Sequence, residues 1–264
     1  MQIGIVIPLK SKKVAKNWDT TVGNLQATVD SVVAQSSDNF NAVVVGHECP
    51  EFFKDAFYKS SNCKFLKYSD FEPPVAGEDE AENQLKYEFD RCTKILRGIM
   101  HLRNQHPLIT HWFALDADDL IRNDFVKALE KYEESDVIIL DKGYFYFKST
   151  GIINKENEFS AYCGSCSVVS DRVFNLPDRV DDKSFRSTPF GNISHVHMKQ
   201  RLEADGWSIS VPTERVIMYV RDNGENISND AYCNTPYKKF KKIVKSVFRY
   251  TPISRDVKAS FGLA

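Results

Sequence analysis

Three carboxylates stand close together in the run Asp116-Ala117-Asp118-Asp119. The run directly follows Trp112-Phe113-Ala114-Leu115, a short apolar stretch of the kind that forms a buried strand. Carboxylates at the end of a buried strand are costly unless a cation compensates their charge. Oxygen ligands suit hard cations such as Mg2+ and Mn2+, which in nucleotide sites also bind substrate phosphates. The run therefore indicates a metal-bridged nucleotide site, although an acidic turn without chemistry has the same short pattern.

Hydrophobic periodicity predicts the elements that position this run. In the first half of the chain it predicts strands at 3–8, 42–45 and 64–68, and helices at 21–35 and 51–59. A long helix is predicted at 83–104, with a buried side formed by Leu85, Phe89, Cys92, Ile95, Leu96 and Ile99. Strands that alternate with helices are typical of a mostly parallel sheet covered by helices on its faces.

The second half of the chain has a more mixed pattern. A helix at 124–132 and a strand at 137–140 are followed by residues 143–180, which alternate aromatic and polar side chains as antiparallel strands do. A further helix is predicted at 194–204, ended by Gly206, with strands near 207–220. These elements predict a smaller antiparallel region beside the parallel sheet.

Composition excludes several classes of protein. The chain has 264 residues and a formal net charge of −1, which is not the electrostatic pattern of a nucleic-acid-binding protein. No apolar run approaches the ~20 residues that span a bilayer, and the first residues lack the pattern of a signal peptide. The six cysteines do not form a disulfide framework, and Cys163-Gly164-Ser165-Cys166 has no second pair for a zinc site. We therefore expect reduced cysteines and a cytoplasmic protein.

The segment from 237 to 249 differs in character from the rest. Its apolar residues recur at helical spacing, and lysines with one arginine occupy the other face. A basic amphipathic helix of this kind lies on anionic membrane surfaces, or packs on its own domain with a solvated basic face. Both interpretations remain open, and the first predicts peripheral contact with a membrane.

Several stretches, in this order along the chain, resemble the motifs of one enzyme family. They are Ile5-Val6-Ile7-Pro8, the helix from Leu25 to Gln35, Asp116-Ala117-Asp118-Asp119, and Arg201-Leu202 with Gly206 followed by the segment from Tyr219 to Ser228. Together they resemble a family 2-type glycosyltransferase with the nucleotide-binding GT-A fold, over roughly residues 3–228. The resemblance implies a Rossmann-like α/β domain at 1–236, with a nucleotide-sugar half at 1–122 and an acceptor half at 123–236, followed by the basic segment at 237–264.

The resemblance also implies a reaction and its site. A sugar passes from a nucleoside-diphosphate sugar, here a UDP-sugar, to an acceptor hydroxyl with inversion, and Mn2+ or Mg2+ stabilises the leaving diphosphate. Candidate nucleotide-sugar contacts are Pro8, Leu9, Glu48, Arg91, Lys94, Asp116 and Ala117, and candidate metal ligands are Asp118, Asp116 and Asn223. Arg91 and Lys94 either face the diphosphate or are ordinary solvated charges of a helix. Asp119 either supports the loop or completes the metal shell.

Three positions depart from the family pattern. Glu48, next to His47, stands where the family has acidic residues that contact the base, so the nucleobase is not fixed by the sequence. Asn223 stands where the family often has histidine. The family supplies its catalytic base as an Asp after a Glu, and here that position is His195 after Ser194. A neutral imidazole can act as a base, whereas the alternative is that His195 packs with Met198 and Leu202.

We expect aromatic residues in the second half of the chain to bind the acceptor. The candidates for stacking on sugars are Tyr144, Tyr146, Tyr162 and Trp207. We therefore predict a hexosyltransferase-type enzyme that builds surface glycans on glycan or lipid-linked acceptors at the inner face of the membrane. Two alternatives remain: a degenerate GT-A domain that binds nucleotide-sugars or glycans without catalysis, and a sugar nucleotidyltransferase. The second lacks the expected glycine-rich loop, since no glycine follows the first strand before Gly23.

Overall fold

The computed structural model describes residues 1–225 and 250–263, which form two β-sheets with helices packed on them. The strands are β1 (Ile3–Pro8), β2 (Phe40–Gly46), β3 (Cys63–Lys67), β4 (His111–Ala114), β5 (Leu120–Ile121), β6 (Val137–Ile139), β7 (Gly143–Phe147), β8 (Ile152–Glu156), β9 (Ser167–Ser170), β10 (Ile209–Ser210), β11 (Ile217–Arg221) and β12 (Tyr250–Pro252). The α-helices are α1 (Trp18–Val33), α2 (Ala56–Ser60), α3 (Glu80–Gln105), α4 (Phe125–Leu129), α5 (Pro189–Asn192), α6 (Met198–Ala204) and α7 (Arg255–Ser260).

The larger sheet has the order β10-β6-β9-β4-β1-β2-β3, and only β9 runs antiparallel to its neighbours. Its two faces are covered as the side-chain alternation of a strand requires. Ile3, Ile5 and Ile7 of β1 pack into one core cluster with residues of α1, whereas Val6 packs into another with residues of α3. The predicted α/β fold with a mostly parallel, helix-covered sheet is confirmed.

The smaller sheet has the order β12-β8-β7-β11-β5 and is mostly antiparallel. Within it, β7 and β11 pair in parallel. Strand β12, near the C-terminal end of the sequence, pairs with β8, and Phe261 at the end of α7 is buried against Met218 and Val220. Residues 250–263 are therefore part of this packed region, whereas the basic segment 237–249 and Asn226-Ile227-Ser228 lie outside the described residues.

The amino-terminal part of α3 does not pack as predicted. Ile95, Leu96 and Ile99 are buried, but Leu85 is 58% exposed. The helix begins at Glu80, and Leu85 in its second turn lines a surface cavity of about 450 Å3 together with Phe71, Phe89 and Phe185. The prediction that Leu85 belongs to the buried side of this helix is wrong.

Within the described residues, no helix is long and apolar enough to cross a membrane.

Candidate active site

The carboxylates predicted to carry the chemistry lie on a tight turn at the carboxyl end of β4. The Asp119 amide donates a hydrogen bond to the Asp116 carbonyl at 3.1 Å, which closes the turn from Asp116 to Asp119. Since β1, β2 and β4 run parallel, their carboxyl ends meet at this edge of the sheet. The turn therefore lies beside the loops that follow β1 and β2, as a ligand site of an open α/β sheet does.

Asp118 is half-buried on this turn, and its carboxylate is in an unfavourable electrostatic environment. Burial and the nearby Asp116 raise its pKa from 3.8 to about 6. The Asn223 side-chain amide donates a hydrogen bond to Asp118 Oδ2 at 2.8 Å, and the charge of Lys10 opposes the rise. A cation bound here would favour the charged form of Asp118, because an opposite charge lowers the pKa of a carboxyl group.

Asp119 is fully buried and points away from solvent. Ser165 Oγ donates a hydrogen bond to Asp119 Oδ2 at 2.7 Å, and the Cys163 thiol donates another at 3.1 Å. Among the described residues, no partner bonds Asp119 Oδ1. Burial together with the charges of Asp118 and Asp116 raises the pKa of Asp119 well above its usual range. Of the two predicted roles for Asp119, these contacts favour support of the loop.

Arg91 on α3 binds the first carboxylate of the turn. Its Nε and Nη2 atoms donate to Asp116 Oδ1 at 2.9 and 2.8 Å. Gly164 lies against this pair, since a Cβ atom there would come within 3.0 Å of Arg91 Nη2 and 3.1 Å of Asp116 Oδ2. Arg91 is thus not a solvated helix charge, and it places a guanidinium group next to the carboxylates, where a diphosphate would need one.

The loop after β1 is fastened to the site by Glu225, which sequence analysis did not single out. Its carboxylate accepts hydrogen bonds from Lys10 Nζ at 2.7 Å and from the Asn17 amide at 2.6 Å. Lys10 and the backbone donors lower the pKa of Glu225 although its burial opposes this. The Asn223 Oδ1 atom in turn accepts the Glu225 amide at 2.9 Å. Asn223 therefore orients both Asp118 and Glu225, and its predicted role as a metal ligand stays a prediction.

Lys94 has a different position from the one predicted. Its side chain is fully buried, and Nζ donates to the Leu9 carbonyl at 2.9 Å and to Asp90 Oδ2 at 2.5 Å. The structure therefore indicates a structural role in place of the predicted contact with a diphosphate. Pro8 and Leu9 are also buried, and the Leu9 amide donates to the Val45 carbonyl at 2.9 Å. The backbone amide and carbonyl of Leu9 are thus both hydrogen-bonded within the protein. A ligand at this edge of the sheet would instead contact the residues of the loop that follows Leu9.

Glu48 and His47 stand at the carboxyl end of β2, as predicted. Glu48 Oε2 accepts a hydrogen bond from the Lys12 amide at 3.0 Å, which ties the loop after β2 to the loop after β1. The His47 ring bonds Asp90 at 3.2 Å and meets the Tyr68 ring edge-on. The contact of Glu48 with a nucleobase stays a prediction.

His195 lies in a short 3-10 turn before α6. Burial lowers its pKa below the ordinary value of 6.5, while Asp116 raises it and Arg91 lowers it further. The nearby backbone of Ala161 also raises this pKa. Met198 and Leu202 are buried in the second core cluster, whereas His195 is only partly buried. The charges of Asp116 and Arg91 thus act on the imidazole, and the predicted role of His195 as catalytic base stays a prediction.

The middle region also contributes a short segment that borders the site. Four cysteines of the described residues are buried and unbridged, and one of them, Cys163, contacts Asp119. Cys49 is unbridged and exposed. Next to Cys163, Tyr162 is 54% exposed. Among the described residues, Tyr162 is the only one of the four predicted sugar-stacking residues whose side chain is exposed. Its role in stacking on a sugar stays a prediction.

The carboxylates fit a divalent cation of the kind that binds nucleotides. In the part of the chain that the structure describes, no cluster of three or more His, Cys, Asp or Glu side chains could hold a metal alone. Mg2+ in nucleotide sites binds one or two carboxylates and takes its other ligands from phosphates and water. Asp118, with its raised pKa, and Asp116 supply that number. Such a site would be complete only with a nucleotide present.

Comparisons with known proteins do not name a family. No protein-family model and no curated protein matches the chain. A solved structure of Staphylococcus aureus TarS 1-349 aligns with 83% of this chain and 60% of its own, at 10% identity and a TM-score of 0.44. A longer TarS structure has 11% identity over 37% of its length, also with a TM-score of 0.44. The manganese complex of Rv0371c from Mycobacterium tuberculosis H37Rv has 12% identity over 89% of its length, with a TM-score of 0.37. The chain spans less than two thirds of either TarS structure, and TM-scores this low assign no function.

Proposed function

We propose that this protein is a glycosyltransferase that uses Mn2+ or Mg2+ and moves a sugar from a UDP-sugar to an acceptor hydroxyl with inversion. The observation that carries the proposal is the turn Asp116–Asp119, which holds two charged carboxylates beside Arg91 and Lys10 at the carboxyl edge of the parallel sheet. A divalent cation bound by the two carboxylates would also bind a diphosphate. The two basic side chains would then bind the phosphate oxygens that the cation leaves open.

Asp118 and Asp116 would hold the metal, which when bound supplies Lewis-acid stabilisation of the leaving diphosphate. Arg91 and Lys10 stabilise the same negative charge as it grows. His195 takes the proton of the acceptor hydroxyl as its oxygen bonds to the anomeric carbon and the bond from that carbon to the phosphate oxygen breaks. Burial lowers the pKa of His195, which keeps the imidazole neutral at pH 7, as a proton acceptor must be.

The acceptor and the place of action are also proposals. We propose a glycan or lipid-linked acceptor at the cytoplasmic face of a membrane, which the basic segment 237–249 contacts. Replacing Lys241, Lys242 and Lys245 by Glu should weaken binding to phosphatidylglycerol vesicles more than tenfold, since each lysine near an anionic surface contributes about 1 kcal/mol. Substitution is preferable to truncation at residue 236, because residues 250–263 pack in the second sheet.

Vesicle sedimentation measures this binding. The control is a second triple variant, in which Glu replaces the exposed residues Lys59, Lys64 and Lys67. It changes the net charge by the same amount at another part of the chain and should leave vesicle binding intact. Equal binding by both triple variants would contradict the membrane proposal, and so would equal binding of the parent protein to vesicles of phosphatidylcholine alone.

A panel of nucleotide-sugars tests the proposed function. With Mn2+ present, one UDP-sugar should raise the melting temperature by mass action and should be hydrolysed slowly when no acceptor is added. Binding without hydrolysis or transfer to any acceptor would instead favour the non-catalytic binding module. If no nucleotide-sugar binds with Mn2+ or Mg2+, the proposed function is wrong.

A further inference from the structure

The turn that carries the carboxylates is fixed at both ends by one buried hydroxyl group. Ser165 Oγ accepts a hydrogen bond from the Asp116 amide at 2.9 Å and donates one to Asp119 Oδ2 at 2.7 Å. A hydroxyl group can do both at once, because it has one donor and two acceptor sites. Ser165 is fully buried, so water does not replace either bond.

The register of the larger sheet explains why this serine reaches the turn. Strand β9 pairs antiparallel with β4, with Phe113 opposite Val168 and Trp112 opposite Val169. Continued beyond the ends of both strands, the same register places Asp116 opposite Ser165. The one antiparallel strand of this sheet thus brings a hydroxyl group to the end of β4, where the parallel strands bring their own loops.

The bonds of Ser165 fix the turn on both sides of Asp118. Asp116 has its backbone fixed by Ser165 and its side chain by Arg91, and Asp119 is buried and held at Oδ2. Asp118 lies between these two residues and points to Asn223 and Lys10. The direction in which the Asp118 carboxylate points therefore depends on the conformation of the turn.

We propose that Ser165 is a positioning residue, which fixes the turn so that the Asp118 and Asp116 carboxylates are preorganised for a divalent cation. This inference rests on the proposed function, since it assumes that Mn2+ or Mg2+ binds there. Groups that hold metal ligands in place from outside the ligand shell commonly change metal affinity by 10–100-fold when they are removed. A hydroxyl group that only filled the core would change the stability of the fold and not the affinity of the folded protein for metal.

Ser167, the first residue of β9, provides a matched control two residues after Ser165. It is 1% exposed, and within the described chain its hydroxyl oxygen has no hydrogen-bond partner. Replacing either serine by alanine removes the same atom from a buried position, but only the change at Ser165 removes bonds to the turn. Any difference between the two variants therefore reports on those bonds.

The test measures Mn2+ affinity of the full-length protein by titration calorimetry with UDP present, alongside the melting temperature without metal. Ser165→Ala should bind Mn2+ about 10-fold more weakly or worse. Ser167→Ala should stay within about twofold of the parent protein, as expected of a change that removes no bond to the ligand shell. With a working UDP-sugar, kcat should fall for Ser165→Ala while the KM for the acceptor stays unchanged.

Equal Mn2+ affinity of the two serine variants, when the parent protein binds Mn2+, would overturn the inference and leave the proposed function standing. A parent protein that binds no Mn2+ with UDP would overturn both. If Ser165→Ala does not fold, Ser165→Cys replaces it, because a thiol is a weaker and larger hydrogen-bonding group. That variant should lose several-fold in Mn2+ affinity, and an unchanged affinity would overturn the inference.

Discussion

Replacing Asp118 by asparagine should lower Mn2+-dependent sugar transfer by about 1,000-fold, with Mn2+ affinity lowered at least 10-fold. Asparagine has the size of aspartate but no charge, so the variant keeps the turn and removes the charge that would face a cation in the proposed site. A metal acting as Lewis acid contributes several kcal/mol to a transition state, and about 1.4 kcal/mol corresponds to each tenfold in rate. Initial rates of UDP-sugar turnover and calorimetric titration of Mn2+ measure the two effects.

The same substitution should make the metal-free protein more stable at neutral pH. Burial and Asp116 hold the pKa of Asp118 at about 6 in the folded protein, against 3.8 in the unfolded chain. Because the folded pKa is the higher one, stability falls as pH rises through this window and stays lower above it. With some access of solvent, the gain at pH 8 should be about 1–2 kcal/mol. Melting curves in EDTA should show it at pH 8 and not at pH 4.

Asp38→Asn is the control for both measurements, because Asp38 is an exposed carboxylate far along the chain from the turn. It should change neither turnover nor the pH dependence of melting. An Asp118→Asn variant that keeps its turnover within tenfold of the parent would remove Asp118 from the site. A gain in stability without any loss of Mn2+ affinity would mean that the carboxylate is strained for a reason other than metal binding.

The carboxylate turn and its strand could be predicted from the sequence because each depends on local pattern. Ile3, Ile5 and Ile7 alternate with Val6, which indicates a strand buried on both faces, and the structure covers both faces as expected. The turn Asp116–Asp119 follows its strand directly, so its place at the carboxyl edge of a parallel sheet needs no knowledge of distant contacts. Its helix partner Arg91 is different, since it became a candidate only through the family resemblance and not through local pattern.

Residues whose roles depend on register or on buried partners could not be predicted in this way. Ser165 reaches Asp116 only because β9 runs antiparallel to β4, and periodicity does not specify the order of strands. Glu225 fastens Lys10 and Asn17 across more than 200 positions of sequence, so no local spacing indicates it. The sequence gives one indication of the role of Lys94, since Asp90 lies one helical turn before it and could pair with it. A charged pair at this spacing is usually on the surface, however, and does not indicate burial. Its burial follows from contact with the Leu9 carbonyl.

Replacing His195 by alanine should lower kcat by about 10^2–10^4-fold, the usual contribution of a general base, while UDP and Mn2+ affinities stay within about twofold. The substitution removes the proton acceptor and no ligand of the turn, so the proton-transfer step and not donor binding should be affected. Turnover of a UDP-sugar with acceptor measures kcat, and calorimetry measures the two affinities. His197→Ala is the matched control, because His197 stands in the same 3-10 turn but is exposed.

The pH dependence of kcat distinguishes a base from a residue that only positions others. Burial lowers the pKa of His195 below 6.5, so the imidazole is neutral at pH 7 and becomes protonated only as the pH falls below that value. A base must be neutral to accept a proton, so the parent protein and His197→Ala should lose activity on the acidic side, with full activity above about pH 7. With Mn2+ at concentrations that saturate the site at every pH, so that protonation of Asp118 does not contribute, the residual activity of His195→Ala should lack this acidic loss. Turnover of His195→Ala within a few-fold of the parent, or the same acidic loss in both proteins, would assign the proton to another group. Two carboxylates that precede α6 would then be tested as the base: Asp181, which accepts hydrogen bonds from the Lys183 and Ser184 amides, and the exposed Asp182.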